Sequence, residues 1–170
     1  MLDRQQRLSN RLGLEIEEMK KQCQTLMLAT VDESGNPNVS YAPFAEDDIG
    51  YYIFISTIAQ HARNIKNNGK VSLMLIDDEN NSRQIFARRR FSAMAKVEEV
   101  VKDSEKWVVG TQLLQQRHGN IMSELVKFQD FSLFHLIPEQ GLFVKGFGQA
   151  FEVMPNRQID MVHLDQGHIK

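Results

Sequence analysis

The sequence predicts a mainly β protein with flanking helices, and residues 25–56 give the strongest signal for this fold class. Three short runs rich in apolar and β-branched residues occur there, TLMLATV, NVSYAPF and YYIFIS. The polar turn DESGNP separates the first two, and a second turn around Asp47, Asp48 and Gly50 separates the last two. Such residues supply the positive or fixed φ angles that turns need. Two hairpins in succession predict an antiparallel meander.

The β pattern continues through the rest of the chain. Four more strands are predicted at residues 71–77, 85–97, 130–138 and 141–153. Gly146 and Gly148 in the last of them predict a bulge or a close backbone approach. Six or seven strands at this spacing, with few helices, favour a closed barrel over a sandwich.

Helical periodicity appears in four places. The predicted helices cover residues 4–22, 59–69, 103–119 and 120–128. The first is amphipathic, with Leu8, Leu12, Ile16 and Met19 at helical spacing. In the third, Asp103 is the predicted N-cap, and Trp107, Leu113 and Leu114 are predicted to face inward.

The composition predicts a cytoplasmic protein with a single domain over residues 1–170 and a flexible tail from about 154 to 170. A net charge of −2 and a pI near 6.2 argue against nucleic acid and acidic membranes as partners. The single cysteine, Cys23, excludes an intramolecular disulfide and a cysteine-cluster metal site. The first residues lack the apolar segment of a secretory signal, and the apolar runs are too short to cross a membrane.

Several segments carry a resemblance to a known family. They are NPNVSYAPF, HARN followed by VSLMLIDDE, FARRRF, QDFSLFHLIPEQGLFVKGFGQAF and the tail VHLDQGHIK. Together they resemble the haem-utilisation proteins of the HugZ/HutZ type, within the pyridoxamine-phosphate-oxidase-like, FMN-binding split-barrel superfamily. The resemblance covers about residues 8–168. The strand GLFVKGFGQA with the terminal Gly-His pair is its most specific part and points to the haem branch.

The resemblance implies a homodimeric split barrel that binds haem and cleaves it oxidatively to release iron. Such a reaction uses O2 and an external electron donor, while the protein supplies ligation and pocket shape. The strands YYIFIS and VSLMLID carry apolar residues on both faces, so we also expect a second copy to cover them, with the cofactor near the subunit boundary. Two alternatives stay open, a haem carrier without turnover and an FMN-dependent oxidoreductase. Against the FMN alternative, RQIFARRRFSAMAKVE lacks the Arg-Val-x-Gly strand typical of those oxidases.

The resemblance places the axial haem ligand at His168, close to the carboxyl end, where a residue taken alone would more often be a solvated tail histidine. It places a supporting carboxylate at Asp130, which would accept the other N–H of an iron-bound histidine, one contributed by the other subunit. By itself, Asp130 is equally well explained as a turn residue that begins a strand. Asp130 is therefore the predicted catalytic residue and His168 the predicted metal ligand.

Basic residues supply the remaining candidates. His61, in QHARN, is a surface or cap histidine by default, and the alternative hypothesis is a cofactor contact in the haem or flavin branch. Arg63, together with Lys66 and Lys70, suits either an FMN phosphate or a haem propionate. Three further histidines have weaker claims, and they are His118, His135 and His163; His135 alternates with apolar neighbours like an ordinary strand residue.

The run Arg88, Arg89 and Arg90 lies in a predicted strand, where alternation places Arg88 and Arg90 on one face. Strand arginines are usually solvated or at an interface, and no interleaved aromatic residues indicate a nucleic-acid platform. A guanidinium group pairs well with carboxylates, so Arg90 is a candidate to hold a propionate or an acid of the other subunit.

Overall fold

The computed structural model describes residues 4–155 and 159–161, which form four helices and eight strands. The helices are α1 (Arg4–Gln22), α2 (Gln60–Asn68), α3 (Glu105–His118) and α4 (Ile121–Leu125). The strands are β1 (Thr25–Val31), β2 (Pro37–Glu46), β3 (Tyr51–Ser56), β4 (Lys70–Ile76), β5 (Arg90–Val100), β6 (Phe131–Gly146), β7 (Gln149–Val153) and β8 (Ile159–Met161). No helix in these ranges has both the length and the apolar character needed to cross a bilayer.

Strand pairing confirms the predicted split barrel. The hydrogen-bonded order is β3-β2-β1-β4-β5-β6-β7-β8, and β3 also pairs with β6. This extra pairing joins the two ends of the run from β3 to β6, so these six strands close into a ring. Because closure leaves no free edge among them, their backbone groups are paired within the barrel.

The chain forms two compact units, one of residues 1–23, 74–93 and 139–170, the other of residues 24–73 and 94–138. Because the chain divides into two units that are each compact, the single domain over residues 1–170 stays a prediction. We call the second unit the meander unit, since it contains β1, β2 and β3.

The meander unit holds the predicted antiparallel hairpins. Strand β1 pairs with β2 from Thr25 opposite Pro43 to Val31 opposite Pro37. Strand β3 pairs with β6 from Tyr51 opposite Leu136 to Ser56 opposite Phe131. Helices α3 and α4 add to a core that also contains residues of β3 and β6; its buried members are Ala45, Tyr52, Phe54, Val100, Leu114, Met122 and Leu133.

In the other unit, α1 has the bounds predicted from its periodicity. Leu12, Ile16 and Met19 are buried, as the amphipathic pattern requires. Lys145 of β6 donates to both carboxylate oxygens of Glu15, at 2.6 and 2.7 Å. Strand β7 pairs with β6 and with β8, and the register shifts between Val144 and Gly146. This shift confirms the predicted bulge.

Four predictions about elements need correction. Strand β5 begins at Arg90 and not at residue 85, because residues 85–87 form a 3₁₀ turn. The N-cap of α3 is Ser104, whose hydroxyl accepts from the Trp107 amide, whereas Asp103 has a φ of 63°. The strands predicted at 130–138 and 141–153 are divided elsewhere, with β6 running unbroken through 138–141. Part of the predicted tail, Ile159–Met161, is a strand.

Candidate functional site

Asp130 lies at a junction that the pairing of β3 with β6 creates. It directly precedes β6, and its neighbour Phe131 is opposite Ser56, the last residue of β3. The Ser56 hydroxyl donates to Oδ2 of Asp130 at 2.8 Å, and the Thr57 amide donates to the Asp130 carbonyl at 2.6 Å. The carboxylate, which is half-buried, is therefore held in place by the chain leaving β3.

The same connection leads to the start of α2, where two more predicted site residues lie. The Ile58 amide donates to the Ser56 hydroxyl at 3.3 Å, and Arg63 donates from Nη1 to the Ile58 carbonyl. His61 is half-buried, and burial lowers the pKa of its imidazole below the ordinary value of 6.5, so it is neutral at pH 7. The structure thus attaches Asp130 and Arg63 to one segment, residues 56–58, with His61 on the helix that follows.

A cavity of about 350 Å³ lies in the meander unit. Four aromatic side chains line it, Phe54, Trp107, Phe128 and Phe131, and we call this cavity the aromatic pocket. The ring of Phe131 lies 5.4 Å from that of Phe54 and 5.9 Å from that of Phe128, measured between centroids. Aromatic faces of this kind bind planar apolar molecules.

Polar groups accompany these rings. Gln129 and Phe131, the chain neighbours of Asp130, both line the aromatic pocket, as do Lys102 and Glu99. Glu99 pairs with Lys66 at 2.8 Å, so Lys66, a predicted anion contact like Arg63, already has a carboxylate partner. Lys102 is exposed and carries a positive charge to the pocket. No local sequence pattern indicates Lys102 or the pocket role of Trp107, because both depend on α3 packing over distant strands.

The run Arg88, Arg89 and Arg90 lies in the other unit, and its three side chains have different partners. Arg89 donates to both oxygens of the Asp77 carboxylate, at 2.9 and 3.2 Å. Arg88 donates from Nε to the Asp77 carbonyl at 3.1 Å and pairs with Glu79. Arg90 donates to the Arg88 carbonyl at 3.3 Å. Asp77 therefore holds Arg88 and Arg89 as structural residues, and Arg90 stays the candidate of the three for a ligand carboxylate.

His135 is fully buried at 0% exposure, in agreement with its prediction as a strand residue. Its ring stacks on Tyr52 with centroids 4.2 Å apart, and Nε2 lies 3.2 Å from Oδ1 of Asp47. An ionised carboxylate only accepts hydrogen bonds, so Nε2 carries the proton, and Nδ1 has no partner among the described residues. Burial lowers the pKa of His135, although the nearby Asp47 partly opposes this effect.

The acidic partner of this pair has its own supports. Burial opposes ionisation of Asp47, but hydrogen bonds from the Ile49 and Gly50 amides and the neighbouring His135 lower its pKa overall. Burial, followed by Asp47, raises the pKa of Tyr52 to about 12. Asp47, Tyr52 and His135 thus form a polar cluster that links the second turn to β6.

The remaining histidines contribute less to a described site. His118 bonds through Nε2 to the Phe44 carbonyl at 2.8 Å, which is a structural contact. His168, the predicted iron ligand, and His163 lie outside the described residues. Within residues 4–155 and 159–161, no group of three or more metal-binding side chains is assembled.

Comparison with known proteins identifies the family. A family model described as pyridoxamine 5'-phosphate oxidase matches residues 12–145. Heme oxygenase HutZ of Vibrio cholerae is 50% identical over 167 residues, or 98% of this chain and 95% of that protein. A crystal structure of HutZ, described as a heme storage protein from Vibrio cholerae, covers 81% of this chain and 96% of its own at 50% identity, with a TM-score of 0.76.

A second solved structure supports the same assignment. ChuZ of Campylobacter jejuni is 27% identical and has a TM-score of 0.85. The match covers 95% of this chain and 66% of the ChuZ chain. These findings confirm the predicted resemblance, and the chain belongs to the pyridoxamine 5'-phosphate oxidase family, in its HutZ-type branch.

Proposed function

We propose that this protein binds haem and degrades it oxidatively to release iron, using O2 and electrons from an external donor in the cytoplasm. The observation that carries the proposal is the position of Asp130, whose two chain neighbours line the aromatic pocket. Consecutive residues thus carry a fixed carboxylate and part of an aromatic cavity, and these two features suit the ligated iron and the planar ring of a haem group. The name heme oxygenase, given to a relative with 50% identity, supports the same activity.

The described residues fit haem in three ways. The rings of Phe54, Trp107, Phe128 and Phe131 offer apolar faces to a planar macrocycle. Lys102, which lines the pocket, offers a cation for a propionate, and Arg63 of the same unit lies at the start of α2. Asp130 offers a fixed carboxylate to an imidazole N–H. When bound, haem itself supplies the oxygen-activating chemistry, and no nucleophilic side chain is needed.

Each proposed role is one of binding or orientation. His168 is the proposed axial ligand, since imidazole is a common protein ligand of haem iron. Asp130 would orient that imidazole and raise its basicity by accepting its second N–H. His61, neutral at pH 7, can donate or accept a hydrogen bond beside the propionates without adding charge. The aromatic pocket would hold the ring and exclude water from it.

We also propose a homodimer, but the surface that supports it differs from the one expected from the sequence. Strand β3 is buried at Tyr51–Ile55 in the chain itself, so it needs no partner to cover it. Apolar side chains are instead exposed on the hairpin of β1 and β2, where Met27 faces Tyr41 and Ala29 faces Val39. Val39 and Tyr41 are 68% and 65% exposed. An apolar sheet face of this kind favours a second copy as its cover.

Titration with haem tests the proposal. Trp107 is the single tryptophan of the chain and lines the aromatic pocket, so haem binding there should quench its fluorescence as a Soret band appears. Phe128→Leu should weaken binding, while Phe147→Leu, which alters an exposed ring outside the pocket, is the matched control. Haem that binds without quenching Trp107, or equally well to both variants, would contradict this location.

A haem carrier is the second candidate, favoured because the HutZ crystal structure is described as a heme storage protein. An FMN-binding oxidoreductase is favoured by the family match alone. A parallel titration with FMN separates the flavin alternative, since the proposal expects saturation by haem and not by FMN at micromolar concentrations. A turnover assay distinguishes a carrier from an enzyme, because a carrier would keep its Soret band in the presence of O2 and reductant.

A further inference from the structure

We propose that Ser56 is a positioning residue that fixes the Asp130 carboxylate for its role toward the iron-bound histidine, an inference that rests on the proposed function. Ser56 is the last residue of β3, and Phe131 of β6 is its register partner. Asp130 therefore stands one residue beyond the paired strands, where the backbone alone does not fix its side chain. The 2.8 Å bond from Ser56 supplies that restraint.

The direction of this hydrogen bond follows from its surroundings. A serine hydroxyl has one proton to donate and two lone pairs to accept. The Ile58 amide donates to the Ser56 oxygen at 3.3 Å, and so occupies one lone pair. The hydroxyl proton is then directed to Oδ2 of Asp130, since an ionised carboxylate can only accept. Ser56 is thereby oriented as a donor before any ligand arrives.

A second bond ties the two segments together. The Thr57 amide donates to the Asp130 carbonyl at 2.6 Å, so backbone and side chain of Asp130 are both attached to residues 56–57. With Oδ2 engaged by Ser56, Oδ1 is the oxygen presented to an imidazole N–H. Removing the hydroxyl should leave the backbone tie intact while allowing the carboxylate to rotate.

The first test uses the protein without haem. Ser56→Ala should shift the side-chain carboxyl ¹³C resonance of Asp130 and broaden its distribution of rotamers, whereas Ser56→Thr keeps a hydroxyl and should restore the original resonance. Ser40→Ala is the matched control, because the Ser40 hydroxyl is buried without a partner among the described residues. An Asp130 resonance that is the same in Ser56→Ala as in the wild type would overturn the inference.

The second test uses the haem complex and a double-mutant cycle. Ser56→Ala should shift the iron–histidine stretching frequency in the same direction as Asp130→Asn and slow haem degradation by roughly tenfold, at the lower end of the range for residues that support a ligand. On an Asp130→Ala background, which leaves the Ser56 hydroxyl without its acceptor, Ser56→Ala should have no further effect on either quantity. If Ser56→Ala slows haem degradation equally on both backgrounds, Ser56 does not act through Asp130.

Failure of the proposed function gives a different result. If the wild type neither binds nor degrades haem, the function is wrong, while the carboxyl resonance still tests the Ser56–Asp130 contact. If the wild type degrades haem and Asp130→Asn slows it, but Ser56→Ala does not, the function stands and the role of Ser56 is refuted.

Discussion

Replacing Asp47 by alanine should destabilise the fold far more than the same change at Asp48 in the same turn. Oδ1 of Asp47 accepts from the Ile49 amide at 3.0 Å, the Gly50 amide at 2.8 Å and His135 Nε2 at 3.2 Å. Ile49 is exposed, so its amide can bond to water instead. His135 is fully buried and cannot, and this difference determines the cost.

The magnitude follows from these contacts. Leaving a buried donor unpaired costs roughly 1–3 kcal/mol, and losing the turn bonds adds roughly 1 kcal/mol. We therefore expect Asp47→Ala to lower the free energy of unfolding by roughly 2–4 kcal/mol, a large share of a typical total of about 5–15 kcal/mol. Asp47→Asn keeps an acceptor oxygen and should cost less.

Urea denaturation at pH 7.5, followed by circular dichroism, measures this effect. The matched control is Asp48→Ala, which removes an exposed carboxylate from the same turn and should change stability by less than about 0.5 kcal/mol. Equal stability of the two variants would refute the view that Asp47 supports His135. A changed slope of the transition would mean that the comparison is not two-state.

Four further predictions concern pH, assembly and ligation. The free energy of unfolding should fall as the pH drops below about 6.5, because burial lowers the folded-state pKa of His135 and the unfolded chain then binds more protons. His135→Gln should flatten this part of the pH profile. Light scattering should give a dimer at micromolar concentration, which Tyr41→Ser weakens and Leu14→Ser, an exposed change on α1, does not. His168→Ala should abolish or severely weaken the Soret band of the haem complex, and an unaltered spectrum would exclude this ligand. Asp130→Asn should leave haem binding largely intact but slow degradation by about tenfold or more, and unchanged turnover would count against its role.

Local patterns predicted the barrel well where turns and periodicity agree. The meander of β1 to β3 follows from polar turns between β-branched runs, and α1 follows from its apolar spacing. The interruption at 138–140 was misleading, because PEQG resembles a turn. Gly141 is instead required for close packing, since a Cβ there would lie 2.5 Å from the Phe91 ring. Close packing of this kind leaves no local pattern in the sequence.

The candidate site was predicted only in part, for a similar reason. Asp130 and His61 were identified by resemblance, and the chain itself gave no reason to prefer them. The partners Ser56 and Asp130 are 74 residues apart, and Asp47 and His135 are 88 residues apart. Both contacts depend on how β3 and β6 pair, which periodicity does not specify. Asp103 shows the same limit locally, because its left-handed φ of 63° leaves Ser104 as the N-cap.

A turnover experiment decides whether this protein degrades haem, as we propose. The purified protein is loaded with one equivalent of haem, supplied with reductant and air, and followed by Soret absorbance while a ferrous chelator captures released iron; catalase excludes degradation by free peroxide. We expect the Soret band to disappear with about one iron released per haem, and an anaerobic sample to keep both its Soret band and its iron. A Soret band that persists in air, with iron retained, would contradict it and identify a haem carrier.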